Sequence, residues 1–396
     1  MEYDLVMDKV SVDINELSLR TDGNRQILSA KVDGEIVWFD FPANIKLERR
    51  GELFITVALL EAMISNLPIV LSDDIVFSPL LLEKIEQLQS IYRCWNPDLH
   101  KISVQGGNLV SSSSNNKVAS FYSGGVDGAY SLCKHKDELS ALITLSGFDT
   151  INKTEQWSLL VEKNKKLANK FNVELIDVKN NIRQFTKKRK ISNNFQHGLT
   201  LAGIAVTLGF KKVFIPSSFT YDDLFPWGSH PVSDPLWSIE YRKVLHDGAD
   251  VSRSEKIKFI ADYPEVLNNL QVCWNNIAFN CGRCSKCLRT QAALDIFGLH
   301  SSGLTPLKDI SELKTLSITG QAGLPFIKDL MKYAHLAGKT EIEGVFKLLI
   351  FRFTIKYYFE GLIRTLLGKK FKMFVHKVRG TRWHKYRVTL GGKDNS

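Results

Sequence analysis

Cysteine is scarce in this chain: six among 396 residues, too few for a disulfide scaffold. The start lacks an apolar stretch of signal length and carries acids instead (MEYDLVMDKVSVD), so the expected location is cytoplasmic rather than exported. There is no internal repeat, no low-complexity block, and no stretch apolar enough for long enough to span a membrane. The glycine-rich turn near Gly125 lacks the Lys-Ser/Thr pair of a P-loop kinase or GTPase, and it lacks the GxGxxG of a redox dinucleotide loop. A glutaminase segment with a recognisable nucleophile is missing as well. What remains is an ordinary globular composition, 44% hydrophobic and 24% charged, sufficient for one large core with appended modules in two or three domains.

The net charge of +10 is concentrated, because residues 331–396 hold fifteen Lys or Arg against four Asp or Glu while the rest is close to neutral. Such a tail suits phosphate-rich partners or anionic lipid. Within it, Arg352, Lys356, Glu360 and Arg364 recur every four positions and would form one polar stripe on a helix. The opposite, apolar face would pack on the core, in a partner groove or on a membrane surface. The last stretch, KKFKMFVHKVRGTRWHKYRV, mixes cations with aromatics as RNA-binding surfaces do.

Three regions are expected along the chain. Residues 1–110 read as an N-terminal α+β extension, with alternating stretches ILSAKV, EIVWFDF and KLERR and helices around Leu53–Ser65 and Leu80–Tyr92. The polar run Ser111–Asn116 reads as a linker. Residues 117–298 alternate short apolar runs (VASFY, ALITLS, VELIDV, KVFIPSS, LQVCW) with helices at Val126–Lys136, Glu155–Phe171, Phe195–Gly209 and Arg253–Tyr263. That is the rhythm of an α/β domain with a doubly wound parallel sheet, whose ligands sit at the carboxyl ends of the strands. Residues 299–396 form a basic, mainly helical C-terminal region.

After VASFY come Ser123, Gly124, Gly125, Val126, Asp127 and Gly128, then a helical run. Glycines let the backbone close on an anion, and N–H groups at the helix start would face phosphates. Ser123 adds a hydroxyl, and Asp127 suits a magnesium ion. A Gly-rich turn with an Asp cap and no nucleotide is the bland alternative. The strand before, the helix after and the parallel alternation downstream favour nucleotide.

Cys273, Cys281, Cys284 and Cys287 crowd into fifteen positions as C-x7-C-x2-C-x2-C. Four thiolates at this spacing can enclose a tetrahedral Zn²⁺, with Gly282 allowing the knuckle turn and no position left for water. An iron–sulfur cluster, a redox pair or four unrelated buried thiols are the alternatives. Cys94 and Cys133 stand apart, Cys133 as a small core residue.

The loop resembles the SGGxDS phosphate loop of N-type ATP pyrophosphatases, the PP-loop superfamily with a HUP-like fold. Together with the CGxCxxC core at Cys281–Cys287 and the nearby Arg289, it resembles 7-cyano-7-deazaguanine synthases of queuosine-type biosynthesis, over Lys117 to Gly298. One position departs: the family's last Ser is Gly128. The resemblance implies ATP and Mg²⁺ over Ser123–Gly128 and a structural Zn²⁺ on the four cysteines. It further implies adenylation of a small-molecule carboxylate with release of AMP and pyrophosphate, the adenylate being captured by ammonia or another nitrogen donor. A tRNA-modifying transferase of the same superfamily is one rival reading. A nucleotide-binding scaffold without turnover, meeting partners through its N-terminal segment and tail, is another.

Further candidates lie beyond KVFIPSS: Ser217, Ser218, Tyr221, Asp222, Asp223, Trp227, Ser229, His230, Asp234, Trp237 and Glu240. Trp227 and Trp237 would stack on a flat ring, and Asp222 or His230 would handle protons. His197 is a core histidine by default, but with Gly198 it would approach the phosphates if its helix points at the nucleotide. Arg253, Lys256 and Arg183 are candidate cations for the departing pyrophosphate, or else surface charges. Expected partners are the carboxylate, the nitrogen donor, an RNA or protein for the basic region, and a second copy in a homo-oligomer.

Overall fold

The computed structural model describes residues 9–146, 154–273, 275, 276, 278–318 and 320–379, by backbone alone at 321 and 360–379. Two compact units divide them, one of residues 9–218 and 226–249, the other of 219–225 and 250–379.

The first unit opens with β1 (Val12–Asp22), β2 (Arg25–Val32) and β3 (Glu35–Pro42). Asp33 and Gly34 both take positive φ, 49° and 77°, as a two-residue hairpin turn matched to strand twist requires. Helix α1 (Glu52–Ser65) ends on a left-handed Asn66. It is followed by β4 (Ile69–Phe77), α2 (Pro79–Trp95) and β5 (Val104–Leu109). Ser78 caps α2 by accepting from the Leu81 amide, with Pro79 in the first turn. Then come β6 (Val118–Phe121), α3 (Val126–Lys134), β7 (Ala141–Leu145), α4 (Thr154–Lys170), β8 (Glu174–Asn180), α5 (Ile182–Lys188), α6 (Asn193–Thr207), β9 (Lys212–Pro216) and β10 (Lys243–Asp247).

All ten strands form one mostly parallel sheet in the order β10-β9-β6-β7-β8-β3-β2-β1-β4-β5, an α/β architecture consistent with a Rossmann-like fold. The five strands β8-β7-β6-β9-β10 are mutually parallel. All four residues of β6 and the first four of β7 are buried, as strands covered on both faces must be.

Two expected strands differ. KLERR is irregular, and so are residues 270–273 of LQVCW; the fifth parallel strand is KVLHD, β10. The amides of Val272 and Cys273 donate to the side-chain carbonyl of Asn280, at 2.9 and 3.2 Å, which commits that backbone to a turn instead of a ladder.

Residues 9–110 do not stand apart, for they extend the sheet through antiparallel pairing of β3 with β8. Arg25 locks this joint, its Nε 2.7 Å from Asp40 and its Nη1 3.0 Å from Asp177. Helix α1 packs closely on α6, where a Cβ on Gly203 would lie 2.5 Å from the Thr56 hydroxyl. The expected linker is likewise tied down, since the Ser112 amide and hydroxyl donate to Glu240 Oε2 at 3.0 and 2.8 Å.

Glu240 also accepts from the Ser78 hydroxyl at 2.7 Å, so it braces the sheet's flank and is not a substrate residue. Burial pushes its carboxyl up, yet the donors from Ser78 and Ser112 prevail and hold it at about 2. A carboxyl depressed in the fold contributes stability above its unfolded pKa and loses it as pH falls through the folded value. The melting temperature of wild type should therefore fall between pH 4.5 and 2. Glu240→Gln should start lower and show less of that slope, which thermal melts across the range would measure.

The second unit contains α7 (Arg253–Ile260), α8 (Pro264–Leu267), α9 (Ser285–Ile296), α10 (Leu324–Leu336) and α11 (Thr340–Arg379). A capping box between Ser252 and Glu255 starts α7. Helix α11 buries Ile342, Val345, Phe346 and Leu349. Arg352 and Lys356 are exposed. The side chains of Glu360 and Arg364, and residues 380–388 of the last basic stretch, lie outside the described residues. Among the described residues no helix is long and apolar enough to cross a membrane.

Candidate functional site

Strand β6 is where the parallel order turns back, β7 lying on one side and β9 on the other. Ligands of such sheets bind outside the carboxyl ends of the strands at this switch point. The segment Ser123–Asp127 emerges there. Gly124 has φ +84°, which a side chain would strain, and Gly125 is the N-cap of α3. Ser123 is exposed and Asp127 half-buried. From the segment just after the neighbouring β9, Ser218 donates to Asp127 Oδ2 at 3.5 Å. A hydroxyl, a carboxylate and the N-terminus of α3 therefore meet at one point, a combination suited to an anion with a bound cation.

Gly128 is buried in the first turn of α3, and a Cβ there would lie 3.2 Å from both the Phe121 carbonyl oxygen and the Tyr122 Cα. The helix thus presses on the backbone that leads into the loop. The other end of α3 is held by a carboxylate that no sequence motif marks. Asp247, closing β10, accepts from Ser131 at 2.6 Å, Lys134 at 2.8 Å and His135 at 3.1 Å. Burial raises its pKa, but Lys134, Ser131 and His135 bring it below the ordinary range. Its carbonyl also accepts from the Ser217 amide at 2.7 Å, which fixes the turn after β9. Asp247 positions the loop from behind.

The candidates between Ser217 and Glu240 are divided between the two units. Tyr221, Asp222 and Asp223 belong to the second unit, with Asp222 exposed. Trp237, 1% exposed, is core and cannot stack on a ligand. Asp234, equally buried, accepts from the Ser229 hydroxyl at 2.7 Å and the His230 amide at 3.1 Å. Its Oδ2 also receives His246 Nδ1 at 2.8 Å. That bond orients the His246 ring, whose Nε2 is a buried atom with no hydrogen-bond partner among the described residues. His246 was not singled out in sequence because KVLHD is short and lies in an aromatic-rich segment.

His230 is buried, and burial followed by repulsion from His246 lowers its pKa. Its Nδ1 accepts from the Val232 amide at 3.2 Å, so it serves its own turn. His197 donates Nδ1–H to its helix's Asn193 carbonyl at 3.0 Å and packs on Trp227, 5.1 Å between centroids. Gly198 does not approach a phosphate, because the Gly228 backbone occupies that side, 1.8 Å from where its Cβ would stand. Arg253 and Lys256 lie on α7 in the second unit. Lys256 is 2% exposed, neither a surface charge nor a cation offered to a ligand, because burial removes its ammonium from solvent. Arg183, half-buried on α5, touches none of these groups among the described contacts.

In the second unit the four cysteines converge, every sulfur within 4.8 Å of the others. The Cys284 sulfur lies 3.8 Å from Cys273 and 3.5 Å from Cys287. A tetrahedral site with metal–sulfur bonds of about 2.3 Å has edges of about 3.8 Å, so these residues can hold a metal ion such as zinc. Asn280 builds the knuckle, clamping the Cys273 backbone while its Nδ2 donates to Leu270 and Gly303 at 2.9 and 2.7 Å. Gly282 turns it with φ +73°. Burial raises the Cys281 pKa, but backbone donors at Arg283 and Cys284 and the Cys273 thiol bring it down to about 6. Burial raises Cys273 and Cys287. Cys133 is buried, as expected of a core thiol. No family model, no curated protein and no solved structure matches the chain.

Proposed function

We propose that this chain is an ATP-dependent adenylating enzyme of the N-type ATP pyrophosphatase kind, related in chemistry to 7-cyano-7-deazaguanine synthases. The observation that carries the reading is the glycine-turned segment Ser123–Asp127 at the sheet's switch point, with Asp127 beside Ser218 at the start of α3. Ser123 and the amides of the loop would bind ATP phosphates, and Asp127 with Ser218 would hold Mg²⁺, which supplies charge neutralisation on the departing pyrophosphate. A carboxylate substrate displaces pyrophosphate from the α-phosphate, and ammonia or another amine then displaces AMP. Zinc on the cysteines is structural, with all four ligand positions filled by sulfur.

The test is turnover of α-labelled ATP by zinc-loaded protein, with and without ammonia and a panel of deazapurine carboxylates. AMP and pyrophosphate should appear, and Asp127→Ala should lower the rate by about a hundredfold or more. If ATP binds but AMP never forms, the scaffold reading replaces this one. The tight fit at Gly128 favours that rival, since the family's serine has no room there without backbone movement. Gly128→Ser should accordingly lower the melting temperature by several degrees and give no gain in turnover. A faster enzyme of unchanged stability would overturn that expectation.

A further inference from the structure

The strongest unabsorbed feature is α11 beyond Leu349. Leu348, Phe351, Ile355 and Phe359 are 41, 61, 52 and 63% exposed. At spacings of three and four they share one strip of the helix. Arg352 and Lys356 border this strip on one side, and Lys347, which also pairs with Glu343, borders it on the other with the exposed Tyr358. An apolar strip of this size needs covering. We infer that this part of α11 docks along an anionic membrane surface.

Three observations select that occupant. The strip contains aliphatic side chains, which need an apolar sink that a nucleic acid does not provide. Between residues 344 and 379 the sequence has nine Lys or Arg against one acid, Glu360, so the covering surface must carry negative charge. A second copy of the helix would set like charge against like charge, which disfavours self-pairing. Because no described helix is apolar enough to cross a bilayer, the geometry is a helix lying in the interface. Its apolar strip sinks among acyl chains while the bordering cations meet lipid phosphates. Tyr358, 72% exposed at the border of the strip, adds an amphipathic ring suited to the headgroup level.

The experiment is co-sedimentation of the full-length, zinc-loaded protein with vesicles of phosphatidylglycerol and phosphatidylcholine, or of phosphatidylcholine alone. Binding should be at least about tenfold stronger to the anionic vesicles and should weaken with salt. Arg352→Gln with Lys356→Gln should reduce it by about tenfold or more, from about 1 kcal/mol per cation. Phe351→Ser, Ile355→Ser and Phe359→Ser together should reduce it to the neutral-vesicle level. All five positions are exposed, so an unchanged melting temperature and zinc content would show an intact fold. Equal or absent binding to both vesicles overturns the inference, as does full binding by the triple serine variant. Tight binding of an RNA oligonucleotide without vesicle binding would assign the tail to nucleic acid instead. A dimer in light scattering that the triple variant abolishes would assign the strip to a second copy.

Discussion

Cys287→Ser should cost the second unit its fold, with metal content falling and the thermal transition dropping by about 10 °C or more. The magnitude follows from two scales. Structural zinc supplies roughly 10–16 kcal/mol in small knuckles, and a domain's whole net stability is roughly 5–15 kcal/mol. Cys287 is fully buried in the first turn of α9, so a serine there leaves a weak ligand where no water can compensate. Chelation of wild type should reproduce the variant's melt, and zinc should restore it to wild type alone. Acid should release the metal, since protons compete for the sulfurs and burial already raises the Cys273 and Cys287 thiols. One zinc per chain by elemental analysis is the expected stoichiometry. Iron with visible absorbance would indicate a cluster, and an unchanged melt after full metal removal would end the structural-zinc reading.

The elements with both a local and a global signal were legible. VASFY followed by Ser-Gly-Gly is a buried strand running into a glycine turn, and the four-cysteine spacing predicts a convergence that the fold provides. Elements with only one signal were misread. LQVCW has the length and apolarity of a strand, but its cysteine must face the other three sulfurs, and Asn280 takes the amides a ladder would use. KVLHD has only two apolar residues in five, too weak a pattern to mark a strand, and with it His246 and Asp247 carry no signal. Strand β1 breaks its own alternation at Glu16, whose φ of 52° accompanies a register shift between Asn15 and Ser18. The polar run at Ser111–Asn116 looked like a linker because no sequence pattern announces that Glu240, far along the chain, will bind Ser112. Long-range polar contacts of this kind leave no periodic trace.

Gly198→Ala should be the most damaging single methyl in the first unit. By propensity alone the change helps, since alanine is favoured over glycine inside a helix by about 1 kcal/mol. Packing reverses the sign. The added Cβ would stand 1.8 Å from the Gly228 carbonyl oxygen, 2.0 Å from its carbon and 2.5 Å from the Ser229 amide nitrogen, all backbone atoms that cannot rotate away. Gly228 has no slack to retreat, because its amide bonds the Asn194 carbonyl at 2.8 Å and its own Cβ position is closed by Phe195, Asn194 and His197. Separating the two backbones should cost more than about 3 kcal/mol, beyond ordinary overpacking. The control is Gly344→Ala on α11, which has nothing within 4 Å and should be neutral or mildly stabilising. Urea unfolding of both variants measures the contrast. The Gly228 segment also carries Ser229 into its bond with Asp234, so a refolded Gly198→Ala protein should lose amide protection at His246 and Asp234 before the rest of the sheet. Wild-type stability in Gly198→Ala would mean that the two segments are not in contact, and the orientation of His246 would then lack its support.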